Sequence, residues 1–185
     1  MTKQLVLVLG GVRSGKSQFA QEMASRMGGG VLFVATGEPL DEEMSQRIEE
    51  HRKMRPSNWR TVEAPLCVGR TIQEEIGGAE VVILDCLTLL VSNVIGRCGD
   101  PEQVDARLVS EKLALVIEEL VACIEKVESS FIVVSNEVGM GLVPDNRLGR
   151  LYRDCLGKAN RELAQRADIV YLMIAGIPMV VKGAS

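Results

Sequence analysis

Leu5-Val6-Leu7-Val8-Leu9-Gly10-Gly11-Val12-Arg13-Ser14-Gly15-Lys16-Ser17 is the stretch that decides the fold. It opens on a continuous apolar run, the composition of a strand buried on both faces. From Gly10 to Ser17 it satisfies G-x-x-x-x-G-K-[ST] at every fixed position. Beyond it, Phe19, Ala20, Met23, Ala24 and Met27 recur at helical spacing until Gly28-Gly29-Gly30 ends the pattern. Strand, glycine-rich loop and helix in that order make a phosphate-binding loop. Its backbone N–H groups curl around phosphate oxygens, and the helix N-terminus adds partial positive charge. Lys16 is expected to reach β- and γ-phosphates and the Ser17 hydroxyl to ligate Mg²⁺. The chain should therefore bind a nucleoside triphosphate.

With 185 residues there is enough chain for one full core and little for two, so residues 1–185 read as a single domain. A hydrophobic fraction of 46% and a charged fraction of 25% are ordinary for a globular protein. The formal net charge of -4 offers no footprint for nucleic acid or an anionic membrane. No window approaches the roughly 18 uninterrupted apolar residues of a membrane span. Cys67, Cys86, Cys98, Cys123 and Cys155 form no C-x-x-C pair, and a chain with one histidine is a poor candidate for a Cys/His zinc site. They read as reduced thiols of a cytoplasmic protein.

Val31-Leu32-Phe33-Val34-Ala35 forms a second strand ending in Thr36-Gly37-Glu38-Pro39. Thr36 emerges on the carboxyl edge where open parallel sheets bind ligands, and spacing leaves it open between nucleotide contact and turn residue. Asp41 caps a helix with Glu42 and Glu43 in its first turn, and Pro56 stops that helix by Arg55. There Arg47, His51 and Arg55 fall at i, i+4 and i+8 on one face, with Met44 and Ile48 packing a neighbouring stripe. An imidazole among cations is held neutral, as a nucleophile must be, and arginines can grip phosphate. By pattern alone His51 remains open between nucleophile and structural histidine.

Arg60 to Glu63 is a short extended segment, with Glu63 a candidate acceptor for a ribose or base, and Ile72 to Ile76 a short helix. Val81-Val82-Ile83-Leu84-Asp85 is a Walker B pattern, its carboxylate at the strand's end for Mg²⁺ or its water. An apolar helix follows from Cys86 to about Ile95, and Pro101 opens a long one with Leu113, Val116, Ile117, Leu120, Val121 and Ile124 on its apolar face. After the strand Phe131 to Ser135, Asn136 and Glu137 are either site residues, Glu137 as base or acceptor, or capping residues. Arg147, Arg150 and Arg153 recur along a further helix as a phosphate-facing row or a solvated face. Ile169–Ile174 is a buried strand and Met179 to Val181 a short last one. Such alternation gives a three-layer α/β domain with a mostly parallel sheet.

Four ordered blocks carry a family resemblance. They are Gly10-Gly11-x-Arg13-Ser14-Gly15-Lys16-Ser17, then Arg47-Ile48-x-x-His51-Arg52-x-x-Arg55-Pro56, then Asp85-Cys86-Leu87-Thr88 through Ser92-Asn93, and last Ser135 to Gly141 through Pro144-x-Asn146-Arg147. Across nearly the whole chain they resemble the bifunctional adenosylcobinamide kinase/adenosylcobinamide-phosphate guanylyltransferases of cobalamin biosynthesis. Val12 stands where that family often has Ala, and Leu90 where it often has Trp.

The resemblance implies a P-loop NTPase domain similar to RecA. It implies phosphorylation of the aminopropanol hydroxyl of adenosylcobinamide with ATP or GTP. A second reaction then transfers GMP from GTP to that phosphate through a guanylylated His51, giving adenosylcobinamide-GDP and pyrophosphate. Catalytic roles fall to His51 and Lys16. Nucleotide contacts fall to Gly10, Gly11, Val12, Arg13, Ser14, Gly15, Lys16, Ser17, Ala35, Thr36, Gly37, Arg52, Lys53, Met54, Arg55, Glu63 and Asp85. Mg²⁺ falls to Ser17 and Asp85, and the assembly to a homotrimer. One phosphate loop serving both reactions means His51 and the acceptor use it by turns, so the His51 helix is expected to be mobile. A P-loop kinase without a covalent step and a nucleotide-driven switch are the alternatives. No N-K-x-D motif occurs, which argues against a GTPase switch and leaves guanine selectivity unread.

Overall fold

Along the chain run β1 (Leu5–Gly10), α1 (Lys16–Met27), β2 (Val31–Ala35), α2 (Glu42–Lys53), β3 (Arg60–Glu63), α3 (Val68–Glu75) and β4 (Val81–Asp85). There follow α4 (Leu87–Gly96), α5 (Ala106–Lys126), β5 (Ser130–Val134), α6 (Arg147–Arg166), β6 (Ile169–Ile174) and β7 (Ile177–Lys182). The computed structural model describes residues 2–39, 41–53, 55–100 and 103–183, and leaves the side chains of Arg47 and His51 outside that description. The strands form one sheet in the order β3-β2-β4-β5-β1-β6-β7, parallel throughout except where β7 returns antiparallel to β6.

Alternation along each strand sorts the core into two layers. Leu5, Leu7, Leu32, Val34, Val82, Leu84, Phe131 and Val133 face a thick layer that includes Ile72 of α3, Leu90 of α4, Leu120 of α5 and Leu156 of α6. Val6, Val8, Phe33, Ala35, Ile83, Ile132 and Val134 face the other way, where Ala20 and Ala24 of α1 cover them. Small Ala20 and Ala24 let α1 lie close against β1, β5 and β4, and the short loop from Gly10 to Lys16 starts it at the carboxyl end of β1. The α/β three-layer fold with a mostly parallel sheet thus follows from burying both faces of very apolar strands.

Several boundaries differ from expectation. The long helix starts at Ala106, not Pro101, because the Asp105 carboxylate accepts from the Arg107 N–H and caps it there. Helix α3 begins at Val68, earlier than Ile72, behind a left-handed Cys67. The last strand is longer than Met179 to Val181 and forms a hairpin with β6 through Ala175 and Gly176, both at positive φ as a tight two-residue turn requires. Helix α2 is capped by Asp41, whose carboxylate accepts from the Met44 N–H at 2.7 Å. It ends at Lys53, so Arg55 does not continue the helical row of Arg47 and His51.

Candidate active site

One rung of the sheet makes the floor of a cleft. Register pairs Glu63 with Ala35, Ala35 with Asp85, Asp85 with Val134 and Val134 with Val8, and all five have the parity of the α1 face. Directly beyond this rung the strands end and the phosphate loop crosses from β1 into α1. The resulting cleft of about 550 Å³ is lined by the loop from Val12 to Ser17, by Ala35, Gly37, Glu63, Asp85, Val134 and Asn136, and by Met44, Ile48, Arg52 and Arg55.

The loop's shape is enforced from outside. At Gly10 any Cβ would lie 2.6 Å from the Met173 carbonyl oxygen and from Ser14 Oγ. Gly15, at φ 90, passes so close to the β6–β7 turn that a Cβ would lie 3.3 Å from Gly176 Cα. The Gly176 N–H donates to the Ser14 carbonyl at 3.0 Å, fastening the hairpin to the loop. Lys16 is buried and donates through Nζ to the Gly11 carbonyl at 2.5 Å, which holds the ammonium inside the loop's curve.

Beneath the floor, buried polar groups lock the strand ends. Thr36 is fully buried; its hydroxyl donates to the Cys86 carbonyl at 2.7 Å and accepts from the Cys86 N–H at 2.9 Å. Its own N–H donates to the Asp85 carbonyl, and its carbonyl accepts from Asn93 Nδ2 at 2.8 Å. Thr36 therefore lies under the cleft, with every polar group committed, while Ala35 and Gly37 border it. The Asp85–Cys86 peptide that it clamps is cis. Burial, with the Asp85 charge beside it, pushes the Cys86 thiol up to about 12, so this cleft-lining cysteine stays protonated at neutral pH.

The second strand end is built the same way. Ser135 Oγ donates to Asn160 Oδ1 at 2.7 Å, Asn160 Nδ2 donates to the Asn136 carbonyl at 3.0 Å, and the Asn136 N–H donates to Thr88 Oγ1 at 2.8 Å. Asn136 borders the cleft; Glu137 does not, because its N–H donates to the Gly10 carbonyl and its carboxylate accepts from the Gly139 N–H. Arg147 donates to the Val104 carbonyl and Arg150 to those of Pro144 and Asp145, bonds that staple loops, and neither these two nor Arg153 is among the residues lining the cleft.

Helix α2 forms the wall opposite the loop. Met44, Ile48 and Arg52 line the cleft, and position 51 follows Ile48 by three residues and Met44 by seven, on the same side of the helix. Lys53 instead faces solvent near Glu49, and Met54 lies outside the described residues. Arg55 stands past the helix with its guanidinium 3.9 Å over the Phe33 ring. Burial lowers its pKa and the Asp85 charge opposes that fall, leaving it cationic at neutral pH. Its Nε is buried with no hydrogen-bond partner among the described residues, so the cation has capacity left for an anion. Sequence spacing put Arg55 on the helix and gave no sign of its seat on Phe33.

Ser17 and Asp85 border the same cleft and offer only hard oxygen donors, a set suited to a small divalent cation that keeps water and phosphate ligands. Among the described residues no group of three or more His, Cys, Asp or Glu gathers elsewhere to hold a metal.

Residues 6–181 match the family model described as CobU, cobinamide kinase / cobinamide phosphate guanyltransferase. The bifunctional adenosylcobalamin biosynthesis protein CobU of Escherichia coli (strain K12) is 39% identical over 181 residues, covering 96% of this chain and 99% of that protein. The bifunctional adenosylcobalamin biosynthesis protein CobP of Pseudomonas aeruginosa is 39% identical over 177 residues, covering 96% of each. Its CobU counterpart in Salmonella typhimurium is 38% identical over 181 residues, with 96% and 99% covered. A match that runs through phosphate loop, α2 wall and hairpin alike means that the chain belongs to the cobinamide kinase / cobinamide phosphate guanyltransferase family.

Proposed function

We propose that this chain, as a single domain of residues 1–185, phosphorylates adenosylcobinamide with ATP or GTP and then transfers GMP from GTP to adenosylcobinamide phosphate. The second reaction runs through a guanylyl-His51 intermediate and yields adenosylcobinamide-GDP and pyrophosphate. The observation that carries this reading is the cleft in which the phosphate loop and Asp85 face the side of α2 that bears position 51. One bound triphosphate beside a helix-borne imidazole suits two different attacks.

In the first, an acceptor hydroxyl attacks the γ-phosphorus, and alignment with charge neutralisation does most of the work. In the second, a neutral His51 nitrogen attacks the α-phosphorus; the N–P bond forms as the bond to pyrophosphate breaks. Lys16 then stabilises the departing charge. The phosphoramidate so formed is displaced by an oxygen of the cobinamide phosphate, and His51 returns free. Arg52 and Arg55 hold phosphate oxygens, Lys53 and Met54 complete that segment, and Glu63 accepts from the ribose or base. Gly10 to Ser17, Ala35 and Gly37 surround the nucleotide, with Thr36 fixing the turn from below. Ser17 and Asp85 would hold Mg²⁺, which when bound neutralises charge on the phosphoryl oxygens.

The assembly we propose is a homotrimer, its number resting on the family resemblance. What supports self-association is β7, an edge strand exposed along its length with Ile177, Met179 and Val181 at its surface. No helix among the described residues is long and apolar enough to cross a membrane, and the described cysteines are free; a cytoplasmic site of action fits both.

Incubation with GTP labelled at the α-phosphate and Mg²⁺, followed by denaturing electrophoresis, tests the covalent step. An acid-labile, base-stable label on the wild type that His51→Ala and His51→Asn both lose is the expected result. No label on a wild-type protein that binds GTP would leave a P-loop kinase without a covalent step.

A further inference from the structure

We propose that the Asn136 carboxamide is a catalytic group of the phosphoryl-transfer half-reaction, holding the γ-phosphoryl group and the attacking hydroxyl in line. The inference rests on the kinase reading above and adds a residue to it. Three observations lead to it. Strand β5 lies between β1, which ends in the phosphate loop, and β4, which ends in Asp85. Val134 shares a rung with Asp85 and with Val8, and Asn136 continues that alternation one step further, onto the α1 face. It therefore borders the cleft between the loop that cradles phosphates and the carboxylate opposite.

The second observation is how the residue is held. Its N–H and carbonyl are fixed from both sides by Thr88 and Asn160, which are buried, and Asn160 is braced in turn by fully buried Ser135. The third is what is left over. Among the described residues the carboxamide itself has no hydrogen-bond partner, whereas its neighbour Glu137 folds its carboxylate back onto the Gly139 N–H. An asparagine that only shaped a turn would spend its side chain as Glu137 does. Here a buried polar cluster fixes the main chain and leaves the side chain to the cleft.

A neutral carboxamide suits this position. Nδ2 donates to a γ-phosphoryl oxygen, and Oδ1 accepts from the incoming hydroxyl. The bond from the acceptor oxygen to the γ-phosphorus forms as the bond to the β-bridging oxygen breaks, and the electron pair leaves with the nucleoside diphosphate. The transition state is loose, so the hydroxyl proton departs late, to water, and the weakly basic carboxamide need not take it.

The test follows γ-phosphoryl transfer to adenosylcobinamide and α-phosphate labelling of the protein side by side, in wild type, Asn136→Ala and the isosteric Asn136→Asp. Expected is a fall of about 100-fold in kcat for phosphoryl transfer, the scale of losing one preorganised donor. In Asn136→Ala, α-phosphate labelling should fall far less than phosphoryl transfer, because attack at the α-phosphorus does not call on the carboxamide. In Asn136→Asp the kcat should fall at least as far, since a carboxylate repels the phosphoryl oxygens while preserving shape. Undiminished kcat in both variants would overturn the inference. So would an equal loss of transfer and labelling, which would mark Asn136 as a structural residue, or a rise in KM alone. Failure of the wild type to phosphorylate adenosylcobinamide while binding nucleotide would overturn the kinase reading and this inference together.

Discussion

The cleft has two sides built on opposite terms. Its floor is the rung from Val8 to Ala35, locked beneath by Thr36 and flanked by a loop that meets β6 at Gly10 and the β6–β7 turn at Ser14 and Gly15. Its wall is α2, a helix rich in charge whose described residues are all exposed or half-buried. Among the described residues, α2 meets the body where Ile48 packs at Gly37, and the bidentate Arg97–Glu38 pair anchors its entering loop. The group that must hold phosphate in one place belongs to the rigid side. The proposed nucleophile, which must enter and leave, belongs to the other. On the proposed alternating use of one site, low local stability in α2 would let His51 and the acceptor take turns.

Substitutions on the two sides should separate accordingly. The largest effect on stability is expected from Phe33→Ala, which empties a fully buried site and removes the ring beneath Arg55; a loss of about 3–5 kcal/mol should appear in denaturant unfolding. Next comes Thr36→Val, which strands the N–H and carbonyl of Cys86, with a loss of about 1–3 kcal/mol and an unchanged denaturant slope. Smallest is Asp41→Ala on the wall, which forfeits a helix cap of about 1 kcal/mol. That loss should be spent locally: amides of α2 exchange faster while the global unfolding midpoint holds. If Asp41→Ala instead moved the global midpoint as far as Thr36→Val, wall and floor would be one cooperative unit and the comparison would fail.

Much of the floor was legible in the sequence, and for a physical reason. Leu5 to Leu9 and Val81 to Leu84 are apolar on both parities because parallel strands bury both faces, and Lys16, Ser17 and Asp85 sit at their ends where such sheets bind ligands. The order of strands was not legible, since it depends on long-range pairing and leaves no local mark. Without it, Asn136 and Glu137 looked equivalent, although β5 carries one to the cleft and turns the other onto Gly139. Thr36 was ambiguous for a related reason, because its partner Cys86 is fifty residues away. Arg55 was misread by extending the i, i+4 rule past the end of the helix. Ala175-Gly176 escaped notice as a hairpin because an alanine at positive φ is a weak turn signal.

The hydrogen bond from Gly176 to Ser14 would matter in the proposed assembly. The hairpin that fastens the phosphate loop is the same hairpin whose outer strand is exposed and apolar. A neighbour seated on β7 that favoured one setting of that turn would alter nucleotide affinity. By thermodynamic reciprocity, nucleotide would then alter the neighbour's affinity by the same factor. Subunit association and triphosphate binding would then be two readings of a single equilibrium at Ser14, and titrating one while following the other would measure it.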